Sequence, residues 1–405
     1  MTSALECIDD LRQMPLLKPG VKIHYEGSID KCGQNADWDW WLYRDDRTGE
    51  WVILDVDGPG CLLNFVVHHS LAHSDPVYRF YVDGDPRPTF EIRHSEFGEK
   101  APFVAPLADV FAPDPSIDKR LEEVDFRIVR SFCPMPFRKG CRVTSSVKLQ
   151  GNYKTGGGWG HAIYHTYPTA DGVDTFSAER DISDLLALWR NVGADPKPTA
   201  GTSVAEFNAE IASGESSVIY RNDGMEGSLA AVKLNVENCD RRKLHDLWIR
   251  VTWDGESAPA VYAPVGAFFG NEWGDHCIRT LMQGTTPGGE MYCYWPMPFW
   301  ESATVELENR GSADTFPVHA SGEVHFTPAE VRGYPREKAA HFRTSAYQPL
   351  TAKEEQRDSH VATLEECHGH LVAGIISAID SMCEGDVRVH IDGVGTPTVE
   401  SDGSE

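Results

Sequence analysis

The chain has 405 residues, enough for two or three domains that each bury a core of their own. Its 62 Asp and Glu against 37 Lys and Arg leave a net charge of −25, which argues against nucleic acid or an anionic membrane as the main partner. No run approaches about 18 apolar residues, so no transmembrane helix is expected. The segment from Met1 to Pro15 has neither a basic n-region nor an apolar h-region, so it does not read as a secretory signal. Ten cysteines are scattered without a Cys-x-x-Cys pair. Cys61, Cys133, Cys141 and Cys293 fall in strand-like runs and are expected as small buried hydrophobes. A reduced, cytoplasmic protein without structural zinc, other metal or cofactor is the expectation.

After a lead over residues 1–20, the chain reads as strands broken by Gly, Pro and Asp, such as Trp51 to Val56, then Asp57-Gly58-Pro59-Gly60, then Leu62 to Val67. Next comes Arg79-x-x-x-Asp83-Gly84-x-x-x-Pro88, where Asp-Gly between alternating apolar runs predicts a tight hairpin. Gly156-Gly157-Gly158-Trp159-Gly160 lacks the Gly-Lys-Ser/Thr ending of a phosphate loop, so that reading is weak. Ile182, Leu185, Leu186 and Trp189 share a helical face, with Ser177 as the expected N-cap and Gly193 as the stop. Residues 193–203 read as a linker.

The second half repeats the first. Arg250-x-x-x-Asp254-Gly255-x-x-x-Pro259 copies the first hairpin, and Pro296-Met297-Pro298-Phe299 copies Pro134-Met135-Pro136-Phe137. After a long polar connection the hairpin sentence returns as Arg388-x-x-x-Asp392-Gly393-x-x-x-Pro397. Three copies with fixed spacing point to a duplicated β unit. The expected domains are 21–192 and 204–330, with 331–405 as a connection and the start of a further, incomplete β unit. The fold class is all-β: tandem jelly-roll β-sandwich domains with a short helical insertion near 178–192.

Several residues carry chemistry. Asn35-Ala36-Asp37-Trp38-Asp39-Trp40-Trp41 mixes rings and carboxylates as sugar sites do; in a strand, Trp38 and Trp40 would share one face. The same tryptophans could equally be sandwich core. His68, His69 and His73, and the pair His368-x-His370, are expected as ordinary hydrogen-bonded histidines rather than metal ligands. The acidic run Glu400 to Glu405 follows the third hairpin, where the other two copies continue for dozens of residues.

Together these segments resemble glycoside hydrolase family 172, the former uncharacterised-domain family 2961. The matching segments are Gly27 to Asp37, Gly58-Pro59-Gly60, Pro264 to Gly270, Tyr292 to Phe299 and Gly369 to Ala373. Departures are Gly27 for a serine, Gln34 for a glycine and Ala267 for an acid. The family's catalytic segment, similar to Gly-Thr-Gly-Thr-Glu-Asp-Tyr-Phe, aligns with Ser401-Asp402-Gly403-Ser404-Glu405, with Asp402 and Ser404 departing from its two threonines. The resemblance therefore implies Glu405 as the nucleophile, with the acid/base residue further along.

The implied activity is a retaining glycoside hydrolase or transglycosylase on α-linked furanosides, such as α-fructofuranosides or α-arabinofuranosides. Asp30, Asn35, Asp37, Trp38, Glu272 and Trp295 are the candidate substrate contacts. A carbohydrate substrate and a homo-oligomer, trimer or hexamer, are the implied partners. The polypeptide taken alone is expected to be inactive. A non-catalytic carbohydrate-binding protein or a structural jelly roll is the alternative, since fold alone does not separate them.

Overall fold

The computed structural model describes residues 10–30, 32, 36–114, 119–272, 274, 278–312, 317–345, 363, 368–375 and 387–400. The chain is 42% strand and 10% helix, in antiparallel sheets. It divides into two units: one contains Lys18–Arg190 and the third hairpin, the other Asp10–Leu17 and Asn191–Ser377. None of the described helices is long and apolar enough to cross a membrane.

The first sandwich runs through β1 (Lys22–Gly27), β2 (Tyr43–Arg44), β3 (Trp51–Asp57), β4 (Gly60–Ser70), β5 (Val77–Val82), β6 (Phe90–Arg93), β7 (Glu99–Lys100), β8 (Phe103–Val104), β9 (Ala108–Phe111), β10 (Phe126–Ser131), β11 (Met135–Phe137), β12 (Gly140–Ser145) and β13 (Gly160–Thr166). One sheet has the order β1-β13-β4-β10-β9, with β11 also on β4; the other is β2-β3-β12-β5-β6. Between them lie Trp40, Phe65, Tyr78, Phe80, Phe103 and Phe137, all but excluded from solvent.

The second sandwich contains β14 (Ser203–Ile211), β15 (Ser216–Asp223), β16 (Gly227–Val236), β17 (Leu247–Trp253), β18 (Val261–Pro264), β19 (Gln283–Thr285), β20 (Met291–Cys293), β21 (Met297–Phe299), β22 (Ser302–Asn309) and β23 (Val318–Pro328). Its sheets are β14-β23-β16-β20-β19, with β21 on β16, and β15-β22-β17-β18. This is the order of the first sandwich, without counterparts of β2, β7 and β8. Even the irregularities repeat. Leu63 and Ala230 are the extra residues where β4 and β16 slip against β13 and β23. Ile53 and Ile219 are the extra residues where β3 and β15 slip against β12 and β22.

The hairpin expectation is met three times, β5–β6, β17–β18, and β24 (Arg388–Val389) with β25 (Val399–Glu400). Asp83, Asp254 and Asp392 have φ of 57°, 48° and 56°, and the glycines that follow have 82°, 69° and 70°. Both central residues are left-handed, so the turn is type I′ and its twist matches the strands. The fixed arginine pairs with a carboxylate on a neighbouring strand each time: across the hairpin for Arg79 with Glu91 at 3.2 Å and Arg388 with Glu400 at 2.7 Å, and on the other side, on β22, for Arg250 with Glu306 at 3.6 Å. These are cross-strand ion pairs on the sheet surface.

The turn aspartates also tie each sandwich together. Asp83 Oδ1 accepts the backbone N–H groups of Arg138 and Lys139, both at 2.6 Å, in the turn between β11 and β12. Asp254 Oδ1 accepts those of Trp300, Glu301 and Ser302, at 3.0, 2.7 and 3.1 Å, between β21 and β22. The second oxygen takes a side chain from the stretch after the last strand: Thr175 Oγ1 on Asp83, and His341 Nε2 at 3.0 Å on Asp254. Burial works to raise the pKa of Asp254, but the three N–H groups and His341 outweigh it and hold the carboxyl below its ordinary value.

The expected helix forms over Ser183–Arg190. Its first turn is capped by Asp181, whose carboxylate accepts the Ser183 N–H at 2.9 Å; Ser177 instead accepts from Glu179, too far upstream to act as the N-cap. The segment read as a linker is fastened to the second sandwich. Lys197 is buried, with Nζ 2.7 Å from Asp195 and 2.5 Å from the Tyr294 carbonyl, and Tyr294 donates to the Gly193 carbonyl at 3.0 Å. Burial lowers the Lys197 pKa, against the pull of Asp195.

Replacing Asp254 by Ala removes three backbone hydrogen bonds to a charged acceptor at once, two of them half-buried, and should cost about 2 kcal/mol, with Asp254→Asn costing less. Urea unfolding of both variants measures this. Asp392→Ala in the 405-residue chain is the control and should leave the midpoint unchanged.

The first sandwich also buries histidines. Burial holds His68, His161 and His165 at about 4, and His94, fully buried between Tyr78 and the Arg127 carbonyl, at about 3. Their ordinary pKa is 6.5, so between that value and about 4 the unfolded chain binds more protons than the folded one. Stability should fall as pH drops through this window, by about 1.4 kcal/mol per pH unit for each histidine. Urea midpoints at pH 7, 6, 5 and 4.5 test it; a flat series overturns it.

Candidate functional site

The N-terminal motif is built on the glycine-rich loop. β1 ends at Gly27, and Ser28 closes the ladder: its N–H donates to the Gly160 carbonyl at 2.9 Å and its hydroxyl accepts the Gly160 N–H at 3.1 Å. A Cβ on Gly158 would stand 2.2 Å from the Trp38 carbonyl oxygen, and one on Gly160 would stand 2.8 Å from the Trp40 ring. The glycines therefore serve close packing of backbone on backbone. The weakness of a phosphate-loop reading has its physical reason here.

Asp30 and Asp37 come together. The Asp30 N–H donates to Asp37 Oδ1 at 2.7 Å, and Asp30 Oδ1 accepts the Cys32 N–H at 2.8 Å. Asp37 is buried and Trp38 is half-buried. Residues 36–39 form no strand; only Trp40 pairs, as a bridge to Leu149, so the shared-face expectation for Trp38 and Trp40 is not met. Trp40 is core at 1% exposure, against Phe65. Trp41 is 38% exposed, with the Lys148 ammonium 4.0 Å from its ring centre.

The third hairpin belongs to this unit, and β25 runs beside β1, the strand that leads into Asp30. Glu405 and Asn35 lie outside the described residues. The count from the turn aspartate that reaches Glu405 reaches Glu96 in the first copy and Ala267 in the second, both on short helical turns directly after the return strand. Glu96 caps its own turn, accepting the Arg93 N–H at 2.8 Å, with Lys100 at 3.1 Å. Its carboxyl is held below the ordinary value, first by that N–H.

Glu272 and Trp295 lie in the other unit. Glu272 is half-buried, on the chain that leaves the helical turn Val265–Phe269 through Gly270 at φ 72°. Trp295 is 7% exposed; its indole N–H donates to Gln283, whose amide donates to the Phe268 carbonyl at 2.9 Å. The motif from Tyr292 to Phe299 thus works largely as internal clamps: Tyr292 to the Thr280 carbonyl at 2.7 Å, Tyr294 to Gly193, and Met297 and Phe299 in the core. Sequence reading missed Lys197 and Gln283, and saw Asp83 and Asp254 only as turn formers. The one usable signal was an aspartate two residues before a lysine in a Pro-rich stretch.

His370 Nε2 lies 2.5 Å from the Met14 carbonyl. Among the described residues no cluster of His, Cys, Asp and Glu could hold a metal ion. Cys61, Cys133, Cys141 and Cys293 are buried.

Two family models match the chain: GH172 first beta-sandwich domain over residues 19–184, and GH172 domain-like over residues 201–319. The chain belongs to glycoside hydrolase family 172. No curated protein matches it. Solved structures that align with it include the STIV MCP, at 9% identity over 76% of this chain and 97% of that one, TM-score 0.21. The tandem CBM51 modules of Sp3GH98, the family 98 glycoside hydrolase from Streptococcus pneumoniae SP3-BS71, align at 8% identity over 75% and 93%, TM-score 0.20.

Gly158→Ala should detach the Trp38 segment at a cost of about 2 kcal/mol or more, because all three of its nearest atoms are backbone. Urea unfolding, with amide exchange over residues 28–38, measures it. Gly395→Ala, with open space around it, is the control.

Proposed function

We propose that this GH172 chain belongs to a retaining glycoside hydrolase, or transglycosylase, acting on α-linked furanosides such as α-fructofuranosides or α-arabinofuranosides. The observation that carries this reading is the third hairpin. It repeats the geometry of the other two, lies beside the strand that leads to Asp30, and runs directly into Glu405.

In this reading a Glu405 carboxylate oxygen attacks the anomeric carbon while the bond to the leaving oxygen breaks. A second carboxyl protonates that oxygen and then activates water, or an acceptor hydroxyl, to release the sugar. Retention needs the two carboxyls about 5–5.5 Å apart. Asp30, Asn35, Asp37 and Trp38 are the sugar contacts we favour, with Glu272 as a further one. Among the described residues Asp37 has one oxygen engaged, by the Asp30 N–H, and the other would take a hydroxyl. Trp295 is the least suited, since its ring is buried and its N–H is taken. A homo-oligomer, trimer or hexamer, goes with this reading.

Turnover of α-arabinofuranosyl and α-fructofuranosyl substrates should fall at least about a thousandfold in Glu405→Gln. Initial rates against both substrates decide it. Equal turnover by the two proteins overturns the role of Glu405.

A further inference from the structure

A serine hydroxyl and a buried imidazole meet where β4 ends. Ser74 Oγ lies 2.9 Å from His69 Nε2, and the other ring nitrogen, Nδ1, lies 3.2 Å from the Gly157 carbonyl oxygen. A carbonyl only accepts, so Nδ1 carries the proton and Nε2 presents its lone pair to the serine O–H. His69 is 3% exposed, while Ser74 is half-buried on a surface turn beside the exposed Ala72 and His73. Burial pushes the His69 pKa below its ordinary value, against the pull of the Gly157 carbonyl, so the ring is neutral and able to take a proton at neutral pH.

The surrounding structure holds both groups in place. The glycine-rich loop lies close on the imidazole: a Cβ on Gly156 would stand 3.2 Å from His69 Cε1. The Ser74 turn is pinned at its next residue, where Asp75 accepts the Ser95 N–H at 3.1 Å and the Ser95 hydroxyl at 2.8 Å. The duplicated fold does not call for this pair. His69 stands six residues after Leu63, the extra residue of β4, and the same count from Ala230 of β16 reaches Val236, which is also buried.

We propose that Ser74 and His69 are a nucleophile–base pair that takes the acyl group of a small neutral ester, such as an acetyl ester, and passes it to water. The Gly157 carbonyl fills the place of the group that orients the base. Ser74 Oγ attacks the acyl carbon and its proton passes to His69 Nε2; the ester C–O bond breaks, and the alcohol leaves with that proton. Water then attacks the acyl carbon on Ser74, giving a proton to Nε2, and the acid is released as that proton returns to Ser74 Oγ. Of the backbone N–H groups in residues 71–75, only that of Asp75 has no acceptor among the described residues. It directly follows the nucleophile, the position from which α/β-hydrolases donate to the oxyanion. A short acyl group suits a half-buried hydroxyl on a surface turn. An anionic ester would be repelled by the Asp75 carboxylate and by the chain's net charge of −25. This chemistry stands whether or not Glu405 is a glycosidase nucleophile.

The test incubates the 405-residue chain with p-nitrophenyl acetate, following p-nitrophenolate, and separately with a fluorophosphonate probe whose position is mapped by mass spectrometry. The probe should label Ser74, and the steady rate of ester hydrolysis should drop at least about a hundredfold in Ser74→Ala and in His69→Val. His69→Val installs the residue that the second sandwich already carries at this position, and its urea midpoint checks that it folds. If it does not, Ser74→Ala, a change on a surface turn, carries the test together with the position of the label. His73→Gln should leave both the rate and the label unchanged. A serine that only holds the turn would take no label. Label elsewhere, a rate that survives Ser74→Ala, or a rate that survives in a folded His69→Val overturns the proposal. So does a rate lost in His73→Gln, because the exposed imidazole would then be the nucleophile.

Discussion

A carboxylate at the end of a hairpin holds each sandwich together. Asp83 and Asp254 sit where two strands of one sheet turn, and each gathers the N–H groups of a chain segment 46 to 56 residues further on. Those N–H groups belong to the turn that leads into β12 or β22, so the carboxylate fixes where that strand enters its sheet. One oxygen satisfies two or three of them, and the other secures the chain that leaves the sandwich. The left-handed φ that the turn demands is what aims the carboxylate at that segment, so the Asp-Gly pair serves conformation and long-range closure together.

The candidate site depends on a second constraint, the approach of backbone to backbone. Trp38 and Trp40 lie against Gly158 and Gly160 closer than any side chain on those two positions would allow. This fixes Asp30 and Asp37 in one loop and divides the tryptophans between core and surface. Cations lie beside several of the outward rings: Lys148 by Trp41 and Trp51, and Arg310 by Trp248. Rings already covered in this way are poorer sugar platforms than their exposure suggests.

Much of the fold was legible because hairpin chemistry is local. Asp-Gly flanked by alternating apolar residues leaves few conformations open, and three identical spacings announced the duplication. The helix over Ser183–Arg190 was legible for the same reason, from the period of Ile182, Leu185, Leu186 and Trp189. Its cap was not, since Ser177 and Asp181 are both acceptable N-caps and only the path of the chain selects Asp181. The stretch 193–203 looked like a linker because Pro and Gly dominate it. Lys197 reverses that impression through a pocket formed by Asp195 and Tyr294, and no window of sequence contains both Lys197 and Tyr294.

The sequence by itself determined the all-β class, the three hairpins, the duplicated order and the membership of GH172, because each rests on short-range spacing or on motifs read residue by residue. Only the tertiary structure decided which tryptophans are core, what the glycine-rich loop packs against, and that Trp295 spends its N–H inside the fold. It also decided that the turn aspartates are the anchors of whole sandwiches. All of these depend on groups a dozen to more than a hundred residues apart, whose meeting is set by sheet order and by the cost of leaving a buried donor unpaired.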